Sequence, residues 1–166
     1  MTELDLFVVR HAVAYERDVE RWPVDAQRPL TPEGEKVFRK ATKGLAAIVR
    51  QPIEKVLSSP YVRAWCTAEI LSEVAGWGEP RRLPSLAADG EVEDAMRALA
   101  RVANGGRLAI VGHEPMLSAL CGVLTGAAEI QLGKGAVARM AVREFAPGGA
   151  SLRWFLAPKV LRHLAG

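Results

Sequence analysis

The sequence predicts an α/β domain built around a mostly parallel sheet. Short apolar runs alternate along the chain with longer stretches of helical period. Polar residues able to hold an anion gather where the apolar runs stop. Near the C-terminus two strand-like runs flank Pro147-Gly148-Gly149, the pattern of a closing antiparallel hairpin.

The first strand, residues 4–9, is the run "LDLFVV", and it ends in Arg10-His11. A polar connection over residues 15–28 follows, longer than the two to six residues or so of an ordinary βα loop. Such a loop at the carboxyl end of a parallel sheet serves ligands, and Trp22 within it is the tryptophan placed to face substrate. A helix over residues 32–49 is opened by Thr31 as N-cap, a cap only, with Pro32 in the first turn. A second strand, residues 55–57, leads through Ser59-Pro60 into a helix over residues 61–74, where Ala64, Ala68, Leu71 and Ala75 mark the buried face. A minor strand at residues 81–83 and a helix over residues 91–102 come next. The strand at residues 108–111 runs through Gly112-His113 into a helix over residues 116–124, and the hairpin occupies residues 136–145 and 150–156. The tail "KVLRHLAG" carries no predicted element, and its His163 reads as exposed and idle.

With 166 residues and no repeat or linker, residues 1–166 form a single domain. Lys and Arg number 22 against 19 Asp and Glu, a net charge of +3 spread along the chain, which suits a small anionic ligand and argues against nucleic acid. The 4 tryptophans show no stacking pattern, which argues the same way. Cys66 and Cys121 fall in predicted helices without ligand-like spacing and read as core thiols. Glu3 and Asp5 precede the first apolar run, unlike a signal peptide, and His113, Glu114 and Pro115 interrupt the best candidate for a membrane span. The expectation is a cytoplasmic protein with no membrane contact, and nothing in the sequence requires an oligomer.

Three strands therefore end in residues that suit an anion: Arg10 and His11, Ser59 with Arg63 one turn into the next helix, and His113. Ligands bind outside the carboxyl ends of strands in open α/β sheets. A metal is a poor fit, because Arg10 and Arg63 repel a cation and no Asp, Glu or Cys adjoins either histidine in a ligand-like spacing. A tetrahedral dianion fits better, held by arginine forks and helix N-termini. His11 is the candidate nucleophile: neighbouring arginines keep it neutral, and a hydrogen bond from Nδ1 to a backbone carbonyl leaves Nε2 free to attack. His113 would stabilise the transferring group, and Ser59 reads primarily as an N-cap, its hydroxyl touching phosphate as a secondary duty.

The motifs "VVRHA", "RPLTPEG", "LSSPYVRAWCTAEIL" and "IVGHEP", in that order, resemble the histidine phosphatase superfamily, most of all its short SixA-type phosphohistidine phosphatases. The resemblance covers nearly the whole chain. It implies a three-layer α/β/α sandwich and metal-independent hydrolysis through a phosphohistidine on His11, with Arg10, Arg63 and His113 completing the phosphate pocket and no cofactor. It also implies Arg28 at the rim, and it matches Lys134-Gly135 to a family element. The first motif has Ala12 where glycine is usual, so the backbone there should avoid positive φ. The segment that carries an acidic proton donor in mutase-like relatives reads "SLAADGEVED", which leaves Asp89 or Glu91 for that role.

The missing clear acid favours phosphohistidine in a protein, of the phosphorelay or phosphotransfer kind, because imidazole leaves without help whereas an alkyl phosphate needs a donor. A phosphatase of small phosphomonoesters using the same nucleophile is the second reading. A module that binds phosphate or phosphohistidine without turnover is the third.

Overall fold

Alternation along the central strands shows why the sheet is covered on both sides. In the computed structural model, which describes residues 2–128 and 130–166, β1 (Leu4–Arg10) sends Leu6 and Val8 to one face and Phe7 and Val9 to the other, all of them fully buried. In β4 (Arg107–Gly112), Leu108 and Ile110 alternate with Ala109 and Val111 in the same way. Residues at i and i+2 share a face of a strand, so such continuous apolar runs require packing partners above and below. Those partners are helices. α1 (Pro32–Ile48), α2 (Val62–Ala75) and α5 (Pro158–Leu164) cover the Phe7 face, while α3 (Val92–Val102) and α4 (Met116–Thr125) cover the Leu6 face. Each large apolar side chain taken from water in these two cores contributes about 1.5–3 kcal/mol.

The 6-stranded sheet has the order β3-β2-β4-β1-β5-β6, with β2 at Lys55–Ser58, β3 at Pro80–Arg82, β5 at Val137–Val142 and β6 at Ala150–Leu156. β1, β2, β3 and β4 are parallel, and β5 pairs antiparallel with both β1 and β6. This is the expected α/β architecture with its closing hairpin. The hairpin turn at Pro147-Gly148-Gly149 is closed by Gly149 N–H donating to the Ala146 carbonyl at 2.9 Å. Asp5, the one acidic residue on β1, is matched by a two-pronged contact from Arg139 on β5, at 2.8 and 2.7 Å.

Element ends shift by one residue at most, except that β5 ends at Val142, short of the predicted residue 145. The predicted helix at residues 61–74 starts instead at Val62, with Tyr61 as N-cap, and the predicted strand at residues 81–83 begins at Pro80. Thr31 caps α1 as expected, its hydroxyl accepting from Gly34 N–H at 2.9 Å. Cys121 is fully buried in α4, and burial pushes its thiol up to about 12, while Cys66 is half-buried in α2. Ala12 keeps a negative φ, as its side chain requires.

One α-helix among the described residues was not foreseen. The tail, to which no element was assigned, forms α5, which packs along α1 with Leu161 fully buried. Its seven residues offer too short a period to read, and Pro158 at its first position is the one sequence signal. His163 on it is exposed. The close approach depends on Gly44: a Cβ there would overlap the carbonyl oxygen of Leu161. A glycine-to-alanine change inside a helix ordinarily raises stability by about 0.5–1 kcal/mol. Here Gly44→Ala is expected to lower it by about 1–3 kcal/mol through overpacking, read as a fall in the urea midpoint; a rise would mean that the α1–α5 contact is unimportant.

Candidate active site

The site lies where β2, β4 and β1, neighbours in the sheet, reach their carboxyl ends together. The ladder holds one step past each strand: His11 N–H donates to the Gly112 carbonyl at 3.0 Å and Ser59 N–H to the Val111 carbonyl at 2.9 Å. The polar residues after β1 and β2 are thereby fixed to the end of β4, from which His113 follows. The imidazoles of His11 and His113 lie 5.2 Å apart between ring centres, and both residues are buried.

His11 Nδ1 lies 2.7 Å from the carbonyl oxygen of Ala12. A carbonyl only accepts, so Nδ1 carries the proton and Nε2 is left with its lone pair. Burial, followed by the charges of Arg63, Arg10 and Arg28, lowers the His11 pKa to about 4. His113 is lowered to about 3, by burial first and then by His11 and Arg63. Both rings are therefore neutral near pH 7.

Arg10 donates from Nη1 to the Leu132 carbonyl at 2.9 Å, and its buried Nε meets no partner among the described residues. The chain passing Leu132 returns to the same strand end, where Gly135 N–H donates to the carbonyl of His11 at 3.0 Å and also to that of Arg10 at 3.2 Å. Gly135 has φ of 79°, which suits glycine, so in the predicted Lys134-Gly135 element the glycine backbone meets the site. The Lys134 side chain is exposed and makes no bond with the described residues.

Arg63, with its side chain 4% exposed, sits on the first turn of α2 facing the sheet. Its guanidinium donates to one residue twice, from Nη1 to the carbonyl of Asp25 and from Nη2 to Asp25 Oδ2, both at 2.9 Å. Asp25 Oδ1 accepts from Arg28 Nε at 2.9 Å, and Arg28 Nη1 donates back to the Tyr15 carbonyl at 2.6 Å. One carboxylate thus joins both arginines and the long loop, and these bonds lower its pKa against the opposing effect of burial. Asp25 was not singled out from the sequence. Its signal was local and weak, an acid three residues before the arginine of "RPLT" in a polar stretch.

Ser59, expected to open α2 as its N-cap, lies two residues before the observed cap. Its hydroxyl lies 2.7 Å from His113 Nε2 and accepts from Tyr61 N–H at 3.1 Å, one residue ahead of the helix. Tyr61 packs its ring edge-on against His113, 5.1 Å between centres, with the Arg63 guanidinium 5.1 Å over its face. Asp89 is exposed, with Oδ1 3.5 Å from the Tyr61 hydroxyl, which places it on the rim. Glu91 does not join the pocket residues. It is exposed just before α3 and faces a surface hollow lined by Met96, Phe145 and Pro147. Trp22 packs against Tyr15 beneath Arg21 within the loop, with its indole nitrogen buried. Among the described residues no group of His, Cys, Asp and Glu could hold a metal ion, and no helix is long and apolar enough to cross a membrane.

An open α/β sheet whose strand ends bring two neutral imidazoles into an arginine-lined recess defines a class of phosphate-handling proteins. The profile of the histidine phosphatase superfamily (branch 1) matches residues 6–88, and the chain belongs to that superfamily as one of its phosphatases. An uncharacterised protein of Picosynechococcus sp. is 34% identical over 119 residues, covering 69% of this chain and 68% of its own. The chain is similar to the structure of the protein histidine phosphatase SixA complexed with tungstate, with a TM-score of 0.82 and 25% identity over 95% of this chain and 99% of that one. A protein assigned as a SixA phosphohistidine phosphatase in Agrobacterium tumefaciens shares the fold, with a TM-score of 0.76 and 20% identity over 95% and 99% of the two chains.

Two outcomes are expected. Unfolded imidazoles protonate near pH 6.5, whereas His11 resists to about pH 4 and His113 to about pH 3. In that window the unfolded state holds more protons, so stability falls with acidification, by roughly 1 kcal/mol per pH unit for each histidine. Urea midpoints from pH 7 to pH 5 check this, with a shallower slope for His113→Gln. Second, Asp25→Asn, which removes the charge binding two guanidinium groups, is expected to lower kcat/KM for a phosphorylated substrate by roughly 10- to 100-fold. Steady-state kinetics on the purified variant read this.

Proposed function

We propose that this chain hydrolyses phosphohistidine in a protein, of the phosphorelay or phosphotransfer kind, through a transient phosphohistidine on His11. The observation that carries the reading is the 2.7 Å contact from His11 Nδ1 to the Ala12 carbonyl, which leaves Nε2 unprotonated among three guanidinium groups. The similarity in fold to SixA in its tungstate complex supports it, since tungstate is itself a tetrahedral oxyanion.

In the first step the Nε2 lone pair of His11 forms a bond to phosphorus as the substrate's P–N bond breaks, and the substrate imidazole departs carrying its own proton on the distal nitrogen. Arg10 and Arg63 take the charge of the equatorial oxygens. In the second step water adds to phosphorus, the His11 P–N bond breaks, and inorganic phosphate leaves as H2PO4−, carrying both of the water's protons. His11 Nδ1 keeps its proton throughout, donated to the Ala12 carbonyl, so His11 departs neutral in the second step as the substrate imidazole does in the first. No acid is required.

A second reading, hydrolysis of a small phosphomonoester, is favoured by one contact. Asp89 at 3.5 Å from Tyr61, whose ring packs on His113, sets a carboxyl on the rim, where it could protonate an alkoxide. Glu91 is poorly placed for that role.

Incubation with a phosphohistidine protein labelled on phosphorus is expected to give an acid-labile, alkali-stable adduct that is absent from His11→Ala, and Arg63→Ala should slow release by about 10²- to 10³-fold. An equal adduct in His11→Ala would refute the reading. Asp89→Asn should leave turnover of a phosphoramidate within about threefold; a loss confined to phosphomonoesters, exceeding tenfold or so, would favour the second reading.

A further inference from the structure

The hydroxyl of Ser59 sits in a fully buried position with two neighbours and one proton to place. It accepts from the backbone N–H of Tyr61 at 3.1 Å, and it lies 2.7 Å from Nε2 of His113. Were Nε2 protonated, the hydroxyl would receive two donors and its own proton would have no acceptor among the described residues. With Nε2 unprotonated, the hydroxyl donates to it and every group at Ser59 is satisfied. A buried polar network is stable in the arrangement that leaves no member unpaired.

From this we infer that Ser59 is a positioning residue that sets the tautomer of His113, holding the proton on Nδ1 so that this nitrogen is the donor to the transferring phosphoryl group. The other end of the ring agrees. His113 Nδ1 is buried and is the one nitrogen of the ring with no partner among the described residues. A buried N–H without an acceptor is costly in a folded protein unless something else accepts from it, and here the neighbouring ring is His11, 5.2 Å away. Charge agrees as well, since His113 sits low enough in pKa to be a neutral donor, able to act through one defined N–H and not as a cation. The chain Tyr61 N–H to Ser59 hydroxyl to His113 Nε2 thus ties the start of α2 to the chemistry of the β4 loop. Ser59 serves the reaction through His113, not by touching substrate.

The inference rests on reading His113 as a ligand of the phosphoryl group, but its test does not need turnover. In the full chain labelled with ¹⁵N, ring correlations of His113, assigned by their loss in His113→Gln, report which nitrogen bears the proton. At pH 7 the wild type is expected to show a protonated Nδ1 and an unprotonated Nε2, and Ser59→Ala to move these signals toward a mixture of tautomers. The same variant should lose kcat by roughly 10- to 100-fold with KM little changed, the range seen when the partner orienting a functional imidazole is removed. A protonated Nε2 in the wild type would overturn the inference, whatever Ser59→Ala does to folding. Unchanged ring signals in a folded Ser59→Ala would overturn it too. Failure of the labelled adduct at His11 would instead refute the proposed function, and the ring signals would still decide the role of Ser59.

Discussion

Two backbone hydrogen bonds at the end of β4 hold the pocket together. The carbonyls of Val111 and Gly112 accept from Ser59 and His11, extending the parallel ladder one residue beyond each outer strand. Parallel strands have no turn between them to set their relative height, so register must come from the ladder and from the alternating apolar faces. A slip of one residue in β1 would turn Leu6 and Val8 from the α3–α4 side to the α1–α2 side. The same slip would carry His11 away from His113. The burial that stabilises the sheet is thus the constraint that places the imidazoles.

Above that floor the electrostatics work by subtraction. Three arginines gather around two rings that have little contact with water, and both effects disfavour imidazolium, so the site carries its positive charge on guanidinium alone. Guanidinium groups so close repel one another, and Arg63 is depressed by burial first and then by Arg28. Asp25 relieves this by accepting from both, and in doing so fixes the plane of each fork. Glu114 acts in the same sense on Arg10, while its carboxylate receives the backbone N–H of Ser118 in the first turn of α4. Anionic side chains behind cationic ones keep a strongly charged recess from being a source of instability.

Much of this was legible because it is local. Arg10, His11, Arg63 and His113 each follow an apolar run or open a helix, and sheet topology brings such positions together without further information. The proton position on His11 was also foreseeable, since a ring at the end of a strand meets backbone carbonyls. Asp25 and Ser59 were not legible in their roles, because each depends on a contact across the sheet: Asp25 reaches 38 residues along the chain to Arg63, and Ser59 reaches 54 to His113. For Ser59 a sound local expectation, a capping hydroxyl, concealed the long-range partner. Asp89 and Glu91 stand two apart in the chain, yet the turn into α3 sends one to Tyr61 and the other to a different surface. α5 escaped notice because a helix of two turns takes its stability from docking on Gly44 and α1, and its own sequence adds little.

The long loop after β1 is closed at its neck by backbone bonds, Tyr15 to Pro29 and Thr31 to Val13, with Ala14 bridging Leu30. Asp25 and Arg28 lie at the base of that neck. Residues 16–24 form the outer arc, with an internal stack of Arg21 on Tyr15 and Trp22. An arc pinned in this way can be lengthened or rewritten at small entropic cost, because loop closure depends only weakly on contour length once the ends are held. Diversification of that arc among descendants of this chain would therefore be decoupled from the reaction centre, and recognition of new macromolecules could drift there while the phosphorus chemistry stays as it is.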